Sequence, residues 1–374
     1  MRIAFDAKRI FNNHTGLGNY ARALTSQLVH LYPQHVFDFY TPGIGGFKNF
    51  ISGMPNVNII IPSTFISRAL PGLWRNRGML KEMVKNKTQL YHGLSNELPI
   101  GIELTNIRSV VTIHDLIFLH YPQNYSWPDR QIYKSKFRSA VNRADKVIAA
   151  SKQTKADIVH FYGTAPDKIE VIYQSCDRAF DAIYTTADKA EITKRYLLPE
   201  QFILSVGTLE KRKNQLGLLK AFSMAKLPGM HLVLIGKKGD AYKEIIEFIG
   251  LSQLQDRVII LNRVDFKDLP GLYQMAHLFV YPSFYEGFGI PVLEALKSGV
   301  PVITSGISSL PEVAGEAAVL VDPKNTTEMV NALVSVCFNE KLRTQLRAAA
   351  KKQIKLFDTV ILAKQVMAVY EKLI

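Results

Sequence analysis

The chain has 374 residues, of which 47% are hydrophobic and 21% are charged. This length favours two domains over one, and the composition is that of an ordinary globular protein with sizeable cores. No stretch of 18 uninterrupted apolar residues occurs, which argues against a transmembrane helix, and residues 2–6 read as a strand rather than as a signal peptide.

The formal net charge is +14, and the first 182 residues carry +9 of it. Such a surface favours anionic partners such as phosphates or acidic lipids, whereas no zinc finger or RNA-binding signature supports nucleic acid. The two cysteines, Cys176 and Cys337, have no metal-binding or redox spacing. We therefore expect a cytoplasmic protein that does not bind nucleic acid.

The first half alternates between apolar strands and helical stretches. After the strand Arg2–Asp6 come a loop with Gly16 and Gly18 and a helix from about Asn19 to Leu31. Further strands are predicted at 36–40, 57–61, 90–92, 109–113, 146–149 and 168–172. This alternation predicts a parallel sheet covered by helices.

The Gly16 loop has a rival interpretation. Gly-x-Gly-x-x-Ala after a strand is a dinucleotide fingerprint, and Asp38 follows Gly18 by about the expected spacing, which leaves a nicotinamide-dependent oxidoreductase as an alternative. Ten residues separate Asp6 from Gly16, however, and that is too long for the tight turn of the fingerprint.

The second half repeats the alternation after a linker at about 176–186. Strands are predicted at 202–206, 231–235, 258–260, 278–281, 300–304 and 318–321, and helices at 214–224, 242–249, 268–275, 326–336 and 341–355. The fold class is therefore α/β, with two doubly wound Rossmann-like domains. Ligands of such domains bind at the carboxyl ends of the strands.

The strand at 202–206 leads into a basic turn. Gly207 permits close approach of a ligand, and Arg212 and Lys213 stand at the start of the next helix. Cations at that end oppose the helix dipole, so helix stability does not explain them. They suit a diphosphate, although a solvated basic turn is the plainer alternative.

The stretch 283–296 follows the strand 278–281 and contains the glycine loop of the second half. Two glutamates, Glu286 and Glu294, bracket Gly287, Phe288, Gly289 and Ile290, and Pro291 suits the first turn of a helix. Backbone N–H groups at a helix start favour an oxygen-rich or anionic ligand. Taken singly, Glu286 is equally well a solvated loop charge and Glu294 a helix-dipole residue.

This Glu-x7-Glu pattern resembles the signature of the retaining glycosyltransferases of family 4, which have the two-domain GT-B fold. The resemblance assigns Arg212 and Lys213 to the donor diphosphate, Glu294 to the ribose and Glu286 to the donor sugar. It adds Gly16, Gly18, Gly207, Val264 and the backbone of 287–290 to the donor site. It also matches His114, at the end of the strand 109–113, to a histidine that faces the donor sugar, whereas a histidine at a strand end is otherwise more often structural.

The resemblance also implies a domain plan: an acceptor-side domain at 1–182, a nucleotide-sugar domain at 183–357, and a last helix at 358–374 that crosses back to the first domain. Catalysis is expected from His114, Glu286, Arg212 and Lys213. The chain has no Asp-x-Asp pair, so we expect no cofactor and no essential metal ion, with the two cations acting in its place.

The family implies transfer of a hexose from a nucleotide-diphosphate sugar to a hydroxyl of a glycan or lipid-linked glycan, with retained configuration. The Gly16 loop and Thr112–Leu116 look most like bacterial mannosyltransferases of surface-polysaccharide assembly, which makes GDP-mannose the expected donor. A UDP-sugar transferase, a non-catalytic sugar-nucleotide binder, and an epimerase or hydrolase are the alternatives.

A basic amphipathic helix is predicted over Arg68–Lys87. It combines apolar residues such as Leu70 and Leu73 with Arg75, Arg77 and Lys81. A helix of this kind can lie on an anionic membrane, which predicts peripheral contact at the inner face of the plasma membrane. An ordinary surface helix that packs on its own domain is the alternative.

Overall fold

The computed structural model describes residues 1–13, 16–47, 49–51 and 53–374. It divides the chain into two compact units, the first formed by Met1–Ser175 with Phe357–Ile374 and the second by Cys176–Leu356. The division falls before residue 182 because the turn Arg178–Asp181 packs with the second unit, where the Phe180 ring contacts Phe266 and Tyr273.

The first unit contains a seven-stranded parallel sheet with the strand order β3-β2-β1-β4-β5-β6-β7. Its strands are β1 (Arg2–Asp6), β2 (Val36–Tyr40), β3 (Val57–Ile60), β4 (Leu90–Gly93), β5 (Arg108–Ile113), β6 (Lys146–Ala149) and β7 (Ile169–Val171). Alternate residues of a strand enter the cores on opposite faces of the sheet, as Ile3 and Ala4 do.

The first eight of the described α-helices also belong to this unit. They are α1 (Lys8–Asn12), α2 (Gly16–Leu31), α3 (Phe65–Ala69), α4 (Pro71–Leu73), α5 (Met79–Lys85), α6 (Ile117–His120), α7 (Trp127–Arg143) and α8 (Lys152–Tyr162). Gly16 and Gly18 thus lie in the first turn of α2 rather than in a loop. A Cβ at Gly18 would lie 2.1 Å from the carbonyl oxygen of Asn13, so only glycine fits this approach.

The prediction of one continuous helix over Arg68–Lys87 is wrong, because the segment is divided into several short helical pieces. Leu70, which precedes Pro71, leaves the helical region at φ −120° and ψ 66°, as residues before proline tend to do. A π-helical turn at Trp74–Gly78 then joins α4 to α5. The turn directs Arg75 inward to Asp6 and Glu97, so this arginine is an ion-paired residue and not part of the surface charge.

The second unit has a six-stranded parallel sheet in the order β10-β9-β8-β11-β12-β13. The strands are β8 (Phe202–Val206), β9 (His231–Ile235), β10 (Val258–Leu261), β11 (Leu278–Tyr281), β12 (Val302–Ser305) and β13 (Ala318–Val321). The helices are α9 (Thr186–Tyr196), α10 (Gln215–Met224), α11 (Tyr242–Leu251), α12 (Leu269–Met275), α13 (Ile290–Lys297), α14 (Leu310–Ala314), α15 (Thr326–Phe338) and α16 (Glu340–Gln353).

The last helix, α17 (Thr359–Glu371), belongs to the first unit. Its buried face enters the same core as Ile3, Phe5 and Leu28 and is formed by Leu362, Ala363, Val366, Met367, Val369 and Tyr370. Within the described part of the chain, no helix is both long enough and apolar enough to cross a membrane.

Candidate functional site

The predicted donor residues of the second unit gather where the order of its strands reverses. Strands β8 and β11 are neighbours in the sheet although two strands separate them in sequence. Gly207 follows β8, and the Glu286 loop follows β11. A crevice at such a switch point, beyond the carboxyl ends of the strands, is the usual ligand site of an open parallel sheet.

Gly207 gives the basic turn its close packing. Its φ is +150°, and a Cβ there would lie 2.7 Å from Nζ of Lys213, so a larger residue would displace that lysine. Lys213 ends a 3-10 turn that begins at Lys211, directly before α10. Its ammonium lies 5.5 Å from the ring centroid of Tyr281 and forms no ion pair with any described residue.

Arg212, the neighbouring cation, has very different surroundings. Its side chain is 8% exposed, and its Nη1 lies 2.8 Å from Oε1 of Glu286. It also donates hydrogen bonds to the backbone carbonyl of Tyr285 and to the carboxylate of Glu210. Burial works to lower the pKa of this guanidinium, but the charges of Glu286 and Glu210 outweigh burial and raise the pKa above its usual value.

Glu286 is held by three donors, all on one oxygen. Its Oε1 accepts hydrogen bonds from the Tyr281 hydroxyl at 2.7 Å and the Ser283 hydroxyl at 2.9 Å, in addition to the Arg212 contact. Burial acts to raise the pKa of the carboxyl, but Arg212, Lys213 and these hydroxyl groups together lower it. Glu286 is therefore an ionised and largely buried group, and not a solvated loop charge.

The glycine loop at 287–289 is fixed by hydrogen bonds from two serines that follow β12. The Ser309 hydroxyl lies 2.8 Å from the carbonyl oxygen of Glu286 and 2.7 Å from that of Phe288, and its one proton can be donated to either. The Ser308 hydroxyl donates to the carbonyl oxygen of Glu286. Gly289 has a φ of +115°, and a Cβ there would lie 2.7 Å from Leu310, so glycine is required before the first residue of α13, Ile290. Gly287 and Phe288 are buried in this loop.

Glu294 lies one turn into α13 and accepts a hydrogen bond from the Tyr273 hydroxyl at 2.9 Å. Burial raises the pKa of its carboxyl to about 8, and the like charge of Asp177 adds to this rise. The Tyr273 hydroxyl and the Lys213 ammonium act in the opposite direction. The two glutamates of the motif therefore differ in charge near neutral pH, because only Glu286 has a guanidinium beside it.

Val264 is less closely connected to this group. It lies half-buried in the loop after β10, the edge strand that is two positions from β8 in the sheet. The order of the strands therefore separates it from the Lys213 and Glu286 cluster by the width of β9.

His114 follows β5 in the first unit and is 5% exposed. Both ring nitrogens already have protein partners: Nε2 lies 2.8 Å from the Leu94 carbonyl oxygen, and Nδ1 lies 2.7 Å from the Gln174 amide nitrogen. These partners fix the neutral tautomer with hydrogen on Nε2. Burial lowers the pKa of the imidazole to about 4. A sugar hydroxyl would reach either nitrogen only by displacing a partner.

Helix α2 contacts His114 through Tyr20, whose ring meets the imidazole edge-on with 4.8 Å between centroids. The structure therefore connects the helix of Gly16 and Gly18 with His114 inside the first unit. The dinucleotide fingerprint fails here, because α1 intervenes between β1 and α2 and leaves no tight strand-to-helix turn.

Sequence reasoning missed several residues that build the site. Tyr281, Ser283 and Tyr273 orient the two glutamates, and Gly236 lies against the backbone of Gly207. The sequence feature that could have identified Tyr281 and Ser283 is their position at the end of the strand 278–281, which leads into the motif. Among the described residues, no group of three His, Cys, Asp or Glu side chains could hold a metal ion.

Comparisons with known proteins extend over both units. The family model described as Glycosyltransferase Family 4 matches residues 14–180, and the one described as Glycosyl transferases group 1 matches residues 188–353. The chain is 30% identical over 292 residues to the O-antigen chain mannosyltransferase B of Escherichia coli, which covers 77% of this chain and 75% of that protein. It is 29% identical over 280 residues to the serotype-specific mannosyltransferase WbdA of the same organism, covering 72% of this chain but 34% of WbdA.

Among solved structures, the sucrose-phosphate synthase of Thermosynechococcus elongatus superposes with a TM-score of 0.75 at 22% identity. The match covers 100% of this chain and 99% of that one. This likeness confirms the predicted fold class, with two Rossmann-like units built on parallel sheets.

Proposed function

This chain belongs to the glycosyltransferases of family 4, and we propose from that premise that it transfers a mannosyl residue from GDP-mannose to a hydroxyl of a glycan or lipid-linked glycan. The choice of mannose is supported by the relatives, since both of those described above are named mannosyltransferases. The observation that carries the proposal is the cluster of Lys213, Glu286 and Glu294 at the switch point of the second sheet.

The chemistry of the cluster matches the parts of such a donor. The Lys213 ammonium, which has no ion pair among the described residues, suits the diphosphate. Carboxylates accept hydrogen bonds from vicinal hydroxyls, which suits Glu294 for the ribose and Glu286 for the hexose. The N-terminal end of α13 offers backbone N–H groups to the remaining oxygens.

We propose that the anomeric configuration is retained by reaction on one face of the sugar. The bond from the anomeric carbon to the diphosphate oxygen breaks, the acceptor oxygen bonds to the same face, and the leaving phosphate oxygen takes the acceptor proton. Lys213 would stabilise the charge that develops on the diphosphate, so no essential metal ion or cofactor is required. The anomeric configuration of the product, measured by NMR, tests retention.

We also propose a peripheral contact with an anionic membrane, where a lipid-linked acceptor would be met. The contact surface, called the basic apolar surface, is formed by exposed residues of the first unit: Phe65, Leu70, Leu73, Arg77, Lys81 and Lys85. Exposed apolar side chains beside lysine and arginine are the combination that binds anionic lipid headgroups.

Calorimetric titration with GDP, UDP and ADP in the presence of EDTA tests the nucleotide site. We expect tight binding of GDP by the native protein, loss of binding in Lys213→Ala, and native behaviour in Lys220→Ala, which removes an exposed lysine of the adjacent helix α10. Preference for UDP would select the UDP-sugar alternative of the same family. Failure to bind any of the three nucleotides would contradict the proposal.

Transfer itself is tested with radiolabelled GDP-mannose and lipid-linked oligosaccharide acceptors. Turnover that depends on the acceptor separates a transferase from a hydrolase or epimerase, which would consume the donor alone. Binding of GDP without turnover on any acceptor would favour a non-catalytic sugar-nucleotide binder.

A further inference from the structure

Arg212 and Lys213 are adjacent in sequence but differ in what their charges contact. The Lys213 ammonium is half-buried, lies 5.5 Å from the centroid of the Tyr281 ring, and forms no ion pair with any described residue. The Arg212 guanidinium is buried and already contacts the carboxylates of Glu286 and Glu210 and the carbonyl oxygen of Tyr285. A diphosphate that recruited Arg212 would have to break these contacts inside a buried site.

The backbone of Arg212 is tied to the same loop as its side chain. Its carbonyl oxygen accepts a hydrogen bond from the N–H of Phe284 at 2.8 Å and lies 3.2 Å from the hydroxyl oxygen of Ser283. Arg212 therefore joins the turn after β8 to the loop after β11 through both backbone and side chain. This is the geometry of a residue that organises a loop.

The hydrogen bonds on Glu286 leave its two oxygens unequal. Oε1 receives Arg212, the Tyr281 hydroxyl and the Ser283 hydroxyl, which exhausts its capacity to accept. Oε2 has no partner among the described residues, and it is not among their buried unpartnered atoms. A fixed carboxylate with one saturated and one accessible oxygen is prepared to accept a hydrogen bond from a ligand hydroxyl.

We infer that Arg212, Tyr281 and Ser283 are positioning residues that hold Glu286 so that Oε2 accepts a hydrogen bond from a hydroxyl of the donor hexose, while Lys213 rather than Arg212 binds the diphosphate. The inference rests on the proposed function and divides between two residues the role that the sequence assigned to both cations. It predicts that some substitutions weaken binding of the diphosphate without weakening binding of the sugar, and that others do the reverse.

Calorimetry with GMP, GDP and GDP-mannose measures the two contributions on one protein. The ratio of GDP to GMP affinity reports the terminal phosphate, and the ratio of GDP-mannose to GDP affinity reports the sugar. We expect Lys213→Ala to lower the first ratio at least tenfold, since it removes a charge-assisted contact. If GDP-mannose proves not to be the donor, the same series is run with UMP, UDP and UDP-glucose.

Tyr281→Phe and Ser283→Ala test the positioning of Glu286. The phenylalanine keeps a ring beside Lys213 and removes only the hydroxyl that Glu286 accepts from. We expect the sugar ratio to fall about tenfold in each variant, the value of one hydrogen bond to a charged group, with the GDP to GMP ratio within twofold of native. Ser283→Thr, which keeps the hydroxyl, should restore the sugar ratio toward the native value.

Arg212→Lys tests the division directly, because lysine keeps the charge and loses the planar fork that reaches Glu286, Glu210 and Tyr285 together. We expect the ratio of GDP-mannose to GDP affinity to fall, while the ratio of GDP to GMP affinity stays near the native value. Circular dichroism confirms that the variant is folded. A collapse of the phosphate ratio in Arg212→Lys, or native sugar ratios in both Tyr281→Phe and Ser283→Ala, would overturn the inference while the proposed function stands. If the native protein binds no nucleotide, the proposed function fails and the inference falls with it.

Discussion

The side chains of His92 and Tyr370 are 278 residues apart in the chain, and their polar atoms are 2.5 Å apart. The tyrosine lies on α17 and the histidine in β4, so this hydrogen bond fastens the last helix to the middle of the first sheet. The histidine continues the network through Nε2, which lies 2.8 Å from the hydroxyl of Thr112. Thr112 in turn contacts the hydroxyl of Tyr20, whose ring packs on His114.

Tyr370→Phe should destabilise the first unit by about 1–3 kcal/mol, because it leaves a buried nitrogen of His92 without its partner. Urea unfolding followed by tryptophan fluorescence measures this unit selectively, since the chain has two tryptophans and both Trp74 and Trp127 lie in it. Tyr133→Phe, at a partly exposed tyrosine of α7, is the control and should leave the midpoint unchanged. Equal midpoints for Tyr370→Phe and the native protein would contradict the prediction.

Gly236→Ala should disturb the nucleotide site without touching any charged group. A Cβ at Gly236 would lie 1.9 Å from the carbonyl oxygen of Gly207, so the ends of β8 and β9 must move apart. We expect about 1–3 kcal/mol of destabilisation, as for other overpacked sites, together with weaker GDP binding. Hydrogen exchange of peptides that cover 200–240 and GDP titration measure the two effects.

Gly250→Ala provides the comparison for that variant. Gly250 lies inside α11 with nothing within 4 Å of its added Cβ, so alanine should be neutral or stabilise the helix by about 0.5–1 kcal/mol. If the two alanine variants show the same hydrogen exchange and the same GDP affinity, the close approach of Gly236 to Gly207 has no importance for the site.

The sequence was a good guide to the strands and a poor one to the partners of charged side chains. Strands such as 202–206 and 278–281 were predicted with the observed bounds, because runs of buried apolar residues between turn residues leave a local pattern. Arg75 was predicted to lie on the surface, but its partner Asp6 is 69 residues away in sequence and no local pattern reveals the pair.

Arg212 illustrates the same limit within the site. The sequence located it correctly after a strand and before a helix, yet its contact with Glu286 depends on β8 and β11 being neighbours in the sheet. The saturation of one Glu286 oxygen by Tyr281 and Ser283 likewise follows from the path of the loop. Roles that depend on such contacts require the folded chain, whereas the types of residue at the site do not.

Binding of GDP should strengthen as the pH rises toward 8. Burial raises the pKa of Glu294 to about 8, so the free protein carries this carboxyl mostly protonated at pH 6 and 7. Ribose hydroxyls that donate to the carboxylate favour its ionised form, so binding below pH 8 must release a proton. Affinity then rises with pH, by at most about tenfold per unit, and levels off above the pKa of the free protein.

Calorimetry in buffers of different ionisation enthalpy measures the released proton directly. Glu294→Gln removes the titrating group, so the part of the pH dependence that GDP itself contributes remains in the variant. The prediction fails if the native protein and Glu294→Gln release the same number of protons between pH 6 and 8.

The basic apolar surface should bind anionic vesicles through its charges. Reversal of Arg77, Lys81 and Lys85 to glutamate turns the attraction into repulsion, and since each basic residue near an anionic surface contributes about 1 kcal/mol, co-sedimentation with vesicles of phosphatidylglycerol should be lost. Arg75 is not substituted, because reversing its charge would break its ion pairs with Asp6 and Glu97 and unfold the segment.

The matched control reverses Lys341, Lys351 and Lys352 on α16. These lysines are exposed in the second unit, and their reversal changes the net charge by the same amount. Loss of vesicle binding in both triple variants would assign the attraction to the overall charge, and absence of binding by the native protein would contradict the proposed membrane contact.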